Sequence, residues 1–326
     1  MAEPLLDVSD LSVRFETDDG VVHAVDRMQF TLAPGEVLGI VGESGCGKTV
    51  TTMSLLRLLP PTATITGRAL FSGLDLLQAP ADRLQQIRGR EISFVFQEPM
   101  TSLNPVFPVG RQIGEVLRRH LGLSRSRARA RAVELLDLVH IPAARRRIDE
   151  YPHQLSGGMR QRVMIAMALA CDPKILVADE PTTALDVTIQ AGILDLMREL
   201  RTRLSTAILL ITHNLGVVAD IADRVLVMYA GRKVEEAPVH ELFAHPQHPY
   251  TIGLLGAVPR PGGVNGTGRL QEIPGRVPSL ARLPDECLFA ERCVRAEPNC
   301  LASVPRLDLV RERHRVACLH PGLNHG

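Results

Sequence analysis

The chain has 326 residues, 45% of them apolar, and a formal net charge of +1. That is enough apolar material for a substantial core, and the near-neutral charge excludes any global attraction to nucleic acid or anionic lipid. Aromatic residues make up 3%, with no Trp and three Tyr, which argues against a base-stacking platform for single strands.

The first ten residues, MAEPLLDVSD, lack the basic start and apolar stretch of a secretory signal. The longest apolar run, Val163 to Cys171, is about half of the roughly 18 residues a spanning helix needs. A soluble, cytosolic chain is expected, which could still sit on a membrane through partner subunits.

The first strong signal along the chain is EVLGIVG, Glu36 to Gly42, a buried strand feeding a Gly-rich turn and then a helix. The turn, GESGCGKT, comprises Gly42, Glu43, Ser44, Gly45, Cys46, Gly47, Lys48 and Thr49 and fits G-x-x-x-x-G-K-[ST]. Glycines let backbone N–H groups converge on phosphate oxygens, and the following helix aims its positive end at the same anion. Lys48 is expected to reach the β- and γ-phosphates and the Thr49 hydroxyl to ligate Mg²⁺. A chance Gly-rich turn is the bland alternative, and the strand–turn–helix context argues against it.

EISFVF (Glu91 to Phe96) reads as a further strand. The strand signal then disappears between Gln97 and Asp172, and Val109 to Arg146 is Arg- and Leu-rich with helical spacing, the pattern of a helical insertion. Its basic run, Arg125 to Arg131, alternates arginine with small residues and reads as a solvated helix face. KILVAD (Lys174 to Asp179), AILLIT (Ala207 to Thr212) and RVLVMYA (Arg224 to Ala230) restore the strand pattern. Strands separated by helices imply a parallel α/β sheet. Asp179 ends an apolar strand, which suits a carboxylate beside Mg²⁺, and Glu180 follows where it could orient or deprotonate water.

After about Pro238 proline and glycine become frequent, as in Pro259 to Gly268, and periodicity fades. A linker into a small C-terminal module is expected. That module carries Cys287, Cys293, Cys300 and Cys318, with His314 and His320 nearby. In a reducing compartment such a group reads as metal-binding before it reads as disulfides. The spacing lacks the C-x₂-C knuckles of common zinc sites, so zinc, an iron–sulfur cluster and metal-free thiols all stay open.

LSGGMRQR, Leu155 to Arg162, resembles the signature of ATP-binding subunits of ABC transporters. The resemblance implies a P-loop NTPase (RecA-like) core over residues 1–240, with a helical ABC subdomain at about 98–171 and a C-terminal region at 241–326. It implies that Ser156, Gly157 and Gly158 contact the γ-phosphate of ATP held by an opposite subunit. Met159 stands where many members have Gln. Gln97 resembles the glutamine that senses Mg²⁺ and the transmembrane partner, Asp186 the residue that crosses the dimer interface, and His213 the switch histidine at the γ-phosphate. Phe15 resembles the ring that stacks on adenine, although it would also serve as an ordinary strand aromatic.

Longer strings narrow the resemblance. Glu98 to Pro105, Tyr151 to Ala170, Asp179 to Thr188, His248 to Arg260 and Ile273 to Leu280 are similar to the oligopeptide/dipeptide importer branch. That implies peptide uptake through two permease subunits, a second ATPase subunit in a heterodimer, and an extracytoplasmic binding protein, with no nucleic acid. It places the chain peripherally on the cytoplasmic face of the inner membrane. Nickel and glutathione importers share these strings. A soluble ABC protein acting on ribosomes or DNA is the alternative of another class. The branch also implies a [4Fe–4S] cluster on the four cysteines, with zinc as the alternative.

Overall fold

In chain order the strands are β1 (Leu6–Thr17), β2 (Gly20–Leu32), β3 (Val37–Val41), β4 (Ala63–Phe71), β5 (Leu74–Asp75), β6 (Ile92–Val95), β7 (Ile175–Asp179), β8 (Ala207–Ile211), β9 (Arg224–Tyr229), β10 (Arg232–Pro238), β11 (Asp308–Arg311) and β12 (His314–Val316). They are seen in a computed structural model that describes residues 3–18, 20–97, 102–182, 187–257, 273–278, 281 and 284–322. Asp186 and the Pro/Gly-rich stretch 259–268 lie outside these residues, as do residues 98–101.

The five apolar runs read from the sequence are β3, β6, β7, β8 and β9. Every residue of β3, β7, β8 and β9 is buried, the state expected of continuous apolar strands covered on both faces. Contacts divide the chain into two units: Met1–Leu32, Val37–Gln78 and Ile211–Gly326 form the first, Ala33–Glu36 and Ala79–Leu210 the second.

In the first unit an antiparallel sheet has the order β2-β1-β4-β5. Leu6, Val8, Leu11 and Val13 of β1 turn inward, and the register slips between Val8 and Leu11. In the same unit β3 runs parallel to β9, with Gly39 opposite Val225. On the other side of β9 comes antiparallel β10, then β12 and β11, so the C-terminal hairpin extends the sheet that contains β3. A fully buried Glu235 on β10 binds His314 of β12 through Nε2 at 2.7 Å. Arg224 and Lys233 both pair with Glu236 in the same strand layer.

In the second unit β6 runs parallel to β7, with Phe94 opposite Val177. The segment read as a helical insertion is helical. Val109–Leu121 starts after Pro108 and stops at Gly122, whose φ of +66° is the left-handed stop that glycine takes without strain. Arg118, Arg119 and His120 sit in its last turn, where the carbonyl end of the helix favours positive charge. Arg125–Leu138 is capped by Ser124, buries Ala128 and Ala132, and leaves Arg125, Arg127 and Arg129 exposed. Arg129 forks onto Asp149 with two bonds of 2.7 Å. The basic run is therefore a solvated face, as its composition implied.

Gly110 lets the start of Val109–Leu121 lie directly against the turn at Ile148. Its N–H donates to Ile148 O at 2.8 Å, and an added Cβ would stand 2.1 Å from Ile148 Cγ1 and 2.7 Å from Ile148 O. Gly110→Ala is expected to lower stability by about 1–3 kcal/mol, because backbone and side chain must both move. The check is the urea midpoint of the full chain; an unchanged midpoint would show that the Ile148 turn yields without cost.

Candidate functional site

The candidate phosphate loop, Gly42 to Thr49, follows β3 and runs into the helix Lys48–Leu55. Three of its glycines have positive φ: Gly42 at +153°, Gly45 at +79° and Gly47 at +99°. At Gly42 a Cβ would meet Met228 O at 2.3 Å, and at Gly47 it would meet Ala24 O at 2.3 Å, so only glycine fits either position. Nothing lies within 4 Å of a Cβ at Gly45, so the outer face of the turn is open. Lys48 Nζ donates to Gly42 O at 2.8 Å and to Glu43 O at 2.9 Å. Cys46 is buried beneath the loop, and burial pushes its thiol pKa up. Ser44 and Thr49 are exposed. Open space beside convergent glycines, with a lysine folded into the turn, fits a polyphosphate and its metal.

Two further positions belong to the same unit. Phe15 is half-buried on β1, opposite Val22 on β2 and Ala63 on β4. His213 is exposed on the turn after β8. Asn214 fixes that turn, since its Oδ1 accepts from Gly216 N at 3.0 Å and starts the helix Leu215–Ile221.

The second unit holds the other candidate groups. Asp179 is buried at the end of β7. Glu180 follows with φ +46°, a left-handed backbone that a non-glycine residue adopts at a cost. Gln97 Nε2 donates to Glu180 Oε2 at 3.1 Å, so the structure brings these two residues together. In LSGGMRQR, Ser156 caps the helix Gly157–Ala168, its hydroxyl accepting from Met159 N at 3.4 Å. Ser156 and Gly157 are exposed at the start of that helix. Gly158 is buried; a Cβ there would come within 2.5 Å of Ile189 Cγ2.

The four C-terminal cysteines line one cavity of about 20 Å³, together with His248, Phe289 and His320. Burial pushes the thiols of Cys287 and Cys293 up and that of Cys318 up to about 11. Among the described residues no three Cys, His, Asp or Glu side chains are placed to hold a single metal ion. His314 is committed to Glu235 instead of the cysteines.

Two side chains that sequence reading missed join this region to the phosphate loop. Arg292 donates to Glu43 Oε2 at 2.7 Å and Oε1 at 2.9 Å, and Glu43 N donates to Tyr250 Oη at 2.8 Å. The Glu43 carboxylate holds the Arg292 guanidinium above its ordinary pKa. A pair 249 positions apart in the chain leaves no local pattern to read.

The ABC transporter family profile matches residues 25–183, and that of the oligopeptide/dipeptide transporter C-terminal region matches 234–300. A Brucella melitensis biotype 1 protein, described as a peptide import ATP-binding protein, is 55% identical over 95% of this chain and 93% of its own length. The chain belongs to the ABC transporter family, in its oligopeptide/dipeptide branch. A Brucella abortus relative of the same description is 52% identical over 97% of each chain. Among solved structures, a dimeric ATP-binding cassette with ADP and phosphate aligns at TM-score 0.65 and 27% identity, over 72% of this chain and 98% of that one. The cassette cbiO1 of Clostridium perfringens, part of an ABC transporter complex, aligns at TM-score 0.62 and 28% identity, over 74% of this chain and 92% of that one. The fold is that of the ABC ATPases.

In this ABC ATPase the C-terminal region also carries a pH-sensitive group. His248 is buried; its backbone N–H donates to Glu235 Oε2 at 2.9 Å, and its ring Nδ1 accepts from Tyr250 N at 3.1 Å. Burial pushes its pKa down to about 4, from 6.5 in a solvated histidine. As pH falls the unfolded chain takes the proton first, so the stability that neutral His248 contributes is full above about pH 6.5 and is lost toward pH 4. The loss amounts to roughly 3 kcal/mol at most. Denaturation midpoints of the full chain should fall across that window, and His248→Asn, which keeps a capping acceptor, should flatten the fall. An unaltered slope in His248→Asn would place the sensitivity elsewhere.

Proposed function

We propose that this chain is the ATP-hydrolysing subunit that powers import of oligopeptides or dipeptides through a membrane ABC transporter. The reading of ATP use is carried by the phosphate loop, whose strand, glycine turn and helix fold in the arrangement a polyphosphate requires. The reading of peptide import rests on the branch-specific C-terminal region and on the description of its Brucella relatives. No helix among the described residues is long and apolar enough to cross a membrane. We therefore propose two permease subunits as membrane partners, a second ABC ATPase subunit beside this one, and a peripheral place on the cytoplasmic face. An extracytoplasmic binding protein would deliver the peptide.

In this reading the amides of Gly42 to Thr49 bind the phosphates and Phe15 contacts adenine. Thr49, Gln97 and Asp179 would hold Mg²⁺, which would supply positive charge against the phosphates. Lys48 and His213 stabilise the charge that develops on the γ-phosphate as its bond to the β-phosphate oxygen breaks. Glu180 accepts a proton from the attacking water, and Gln97 holds that carboxylate in place through the bond at 3.1 Å. Ser156, Gly157 and Gly158 offer a helix start to ATP bound by the other subunit, and Asp186 meets that subunit. Two ATP molecules would thus hold the pair closed until hydrolysis releases it.

Glu180→Gln should lower ATP turnover by about 100-fold or more while ATP binding persists. The mutant should then accumulate as an ATP-bound dimer in size-exclusion chromatography. Near-normal phosphate release from this variant would refute the role.

We further propose that Cys287, Cys293, Cys300 and Cys318 hold a [4Fe–4S] cluster. What supports it is that all four cysteines line one cavity. A cavity of about 20 Å³ admits a water-sized group, so the cysteine segments must open to take a cluster. Bound there, the cluster would cross-link a segment that has little core of its own. Protein purified without oxygen should be brown and contain iron and acid-labile sulfide. A colourless, iron-free and fully folded preparation would overturn this assignment.

A further inference from the structure

We propose that Arg292 and Tyr250 are positioning residues of the nucleotide site, which they hold through Glu43 of the phosphate loop. The proposal rests on the reading that Gly42 to Thr49 bind the phosphates of ATP.

The geometry starts from a buried guanidinium. Arg292 is 6% exposed, on the short 3₁₀ turn Ala290–Arg292 between Cys287 and Cys293. Its Nε donates to Pro274 O at 2.8 Å, and its terminal nitrogens donate to Tyr229 Oη at 3.4 Å and Ile273 O at 3.3 Å. The rings of Tyr229 and Phe289 stand 5.7 and 5.9 Å from its Cζ. Those contacts fix the fork before it reaches its partner. Both terminal nitrogens then grip the Glu43 carboxylate, at 2.7 and 2.9 Å. A bidentate fork sets the direction of a carboxylate as well as its distance, and an arginine cannot lose its charge. Glu43 is the more exposed partner, at 28% against 4% for the side chains. The arginine is therefore the fixed part and the loop residue the part being held.

The main chain of Glu43 is held too. Its N–H donates to Tyr250 Oη at 2.8 Å, and Tyr250 is itself fully buried against Tyr229, with ring centroids 4.7 Å apart. The Glu43 carbonyl accepts from Lys48 Nζ at 2.9 Å. Side chain, amide and carbonyl of one residue thus link the C-terminal region to the lysine of the loop. Without the clamp, Glu43 gains freedom that a bound phosphate must remove, and its carboxylate is left unneutralised near an anion. Both effects weaken nucleotide binding.

The test uses the full chain. Arg292→Met keeps most of the apolar stem and loses the charged fork. The readouts are the Kd of a fluorescent ATP analogue with Mg²⁺, amide hydrogen exchange over residues 42–49, and the thermal midpoint. The expected result is a Kd raised about tenfold, faster exchange at the loop amides, and a KM for ATP that rises more than kcat falls. Arg292→Lys should recover part of the affinity, and Glu43→Ala should add little to Arg292→Met. A folded Arg292→Met with wild-type Kd and wild-type exchange would overturn the proposal. Should that variant fail to fold, Glu43→Gln and Tyr250→Phe carry the same readouts, and wild-type Kd and exchange in both would overturn it equally. Lys48→Ala separates the two levels. If it leaves ATP affinity unchanged, the phosphate reading falls and takes this proposal with it; if it weakens ATP while the clamp variants do not, only the clamp is lost.

Discussion

Everything at the candidate phosphate loop depends on a tight backbone turn between β3 and a helix start. Such a turn is unstable by itself, because it needs glycines with positive φ and brings main-chain dipoles of like orientation together. Here it is enforced from beneath. Met228 O and Ala24 O stand where side chains at Gly42 and Gly47 would be, so the loop rests directly on neighbouring backbone. The buried run of β3 supplies the rigid base, and its parallel pairing with β9 brings Met228 there. The loop's own lysine closes the turn by bonding two loop carbonyls. Packing, and not local propensity, holds the shape.

How much of this could be read beforehand follows from the range of the interactions. The phosphate loop, β3 and the start of the next helix are local, so spacing alone gave them away. The same holds for β7 with Asp179, whereas LSGGMRQR was legible through its resemblance to a family signature. The long strands β1 and β2 left a weaker trace. Their inward residues keep an alternating pattern only in pieces, because register shifts between Val8 and Val13 move the apolar set from one phase to the other. The C-terminal hairpin was invisible for another reason: β11 is mostly exposed, and β12 is bound to the sheet through His314 and Glu235, a polar pair that no hydrophobic pattern reveals. The Arg292–Glu43 fork is longer in range still.

The C-terminal cysteines illustrate a conflict between packing and chemistry. Burial favours the neutral thiol, and the pKa values of Cys287, Cys293 and Cys318 move up accordingly. A metal or cluster needs the thiolate. Were such a group bound, its binding would have to expel the protons, and its retention would depend on pH and on the integrity of the fold around it. Phe289 and His248 line the same cavity, so the apolar surroundings that suppress ionisation would also shield a bound cluster from water.

Glu180 shows the opposite use of strain. Its backbone sits at φ +46°, which a non-glycine residue adopts at a cost, directly after the buried strand that ends in Asp179. A relaxed extended residue there would carry the strand direction onward. The left-handed turn instead changes the direction of the side chain by one residue's worth of backbone, so that adjacent carboxylates at 179 and 180 need not share an environment: the first is buried, the second half-buried and bonded to Gln97. Two acids with separate surroundings can take separate roles, one as a fixed ligand and one as a proton acceptor. The cost, of order 1–3 kcal/mol for such a conformation, persists because β7 and the Gln97 bond hold the residue from both sides.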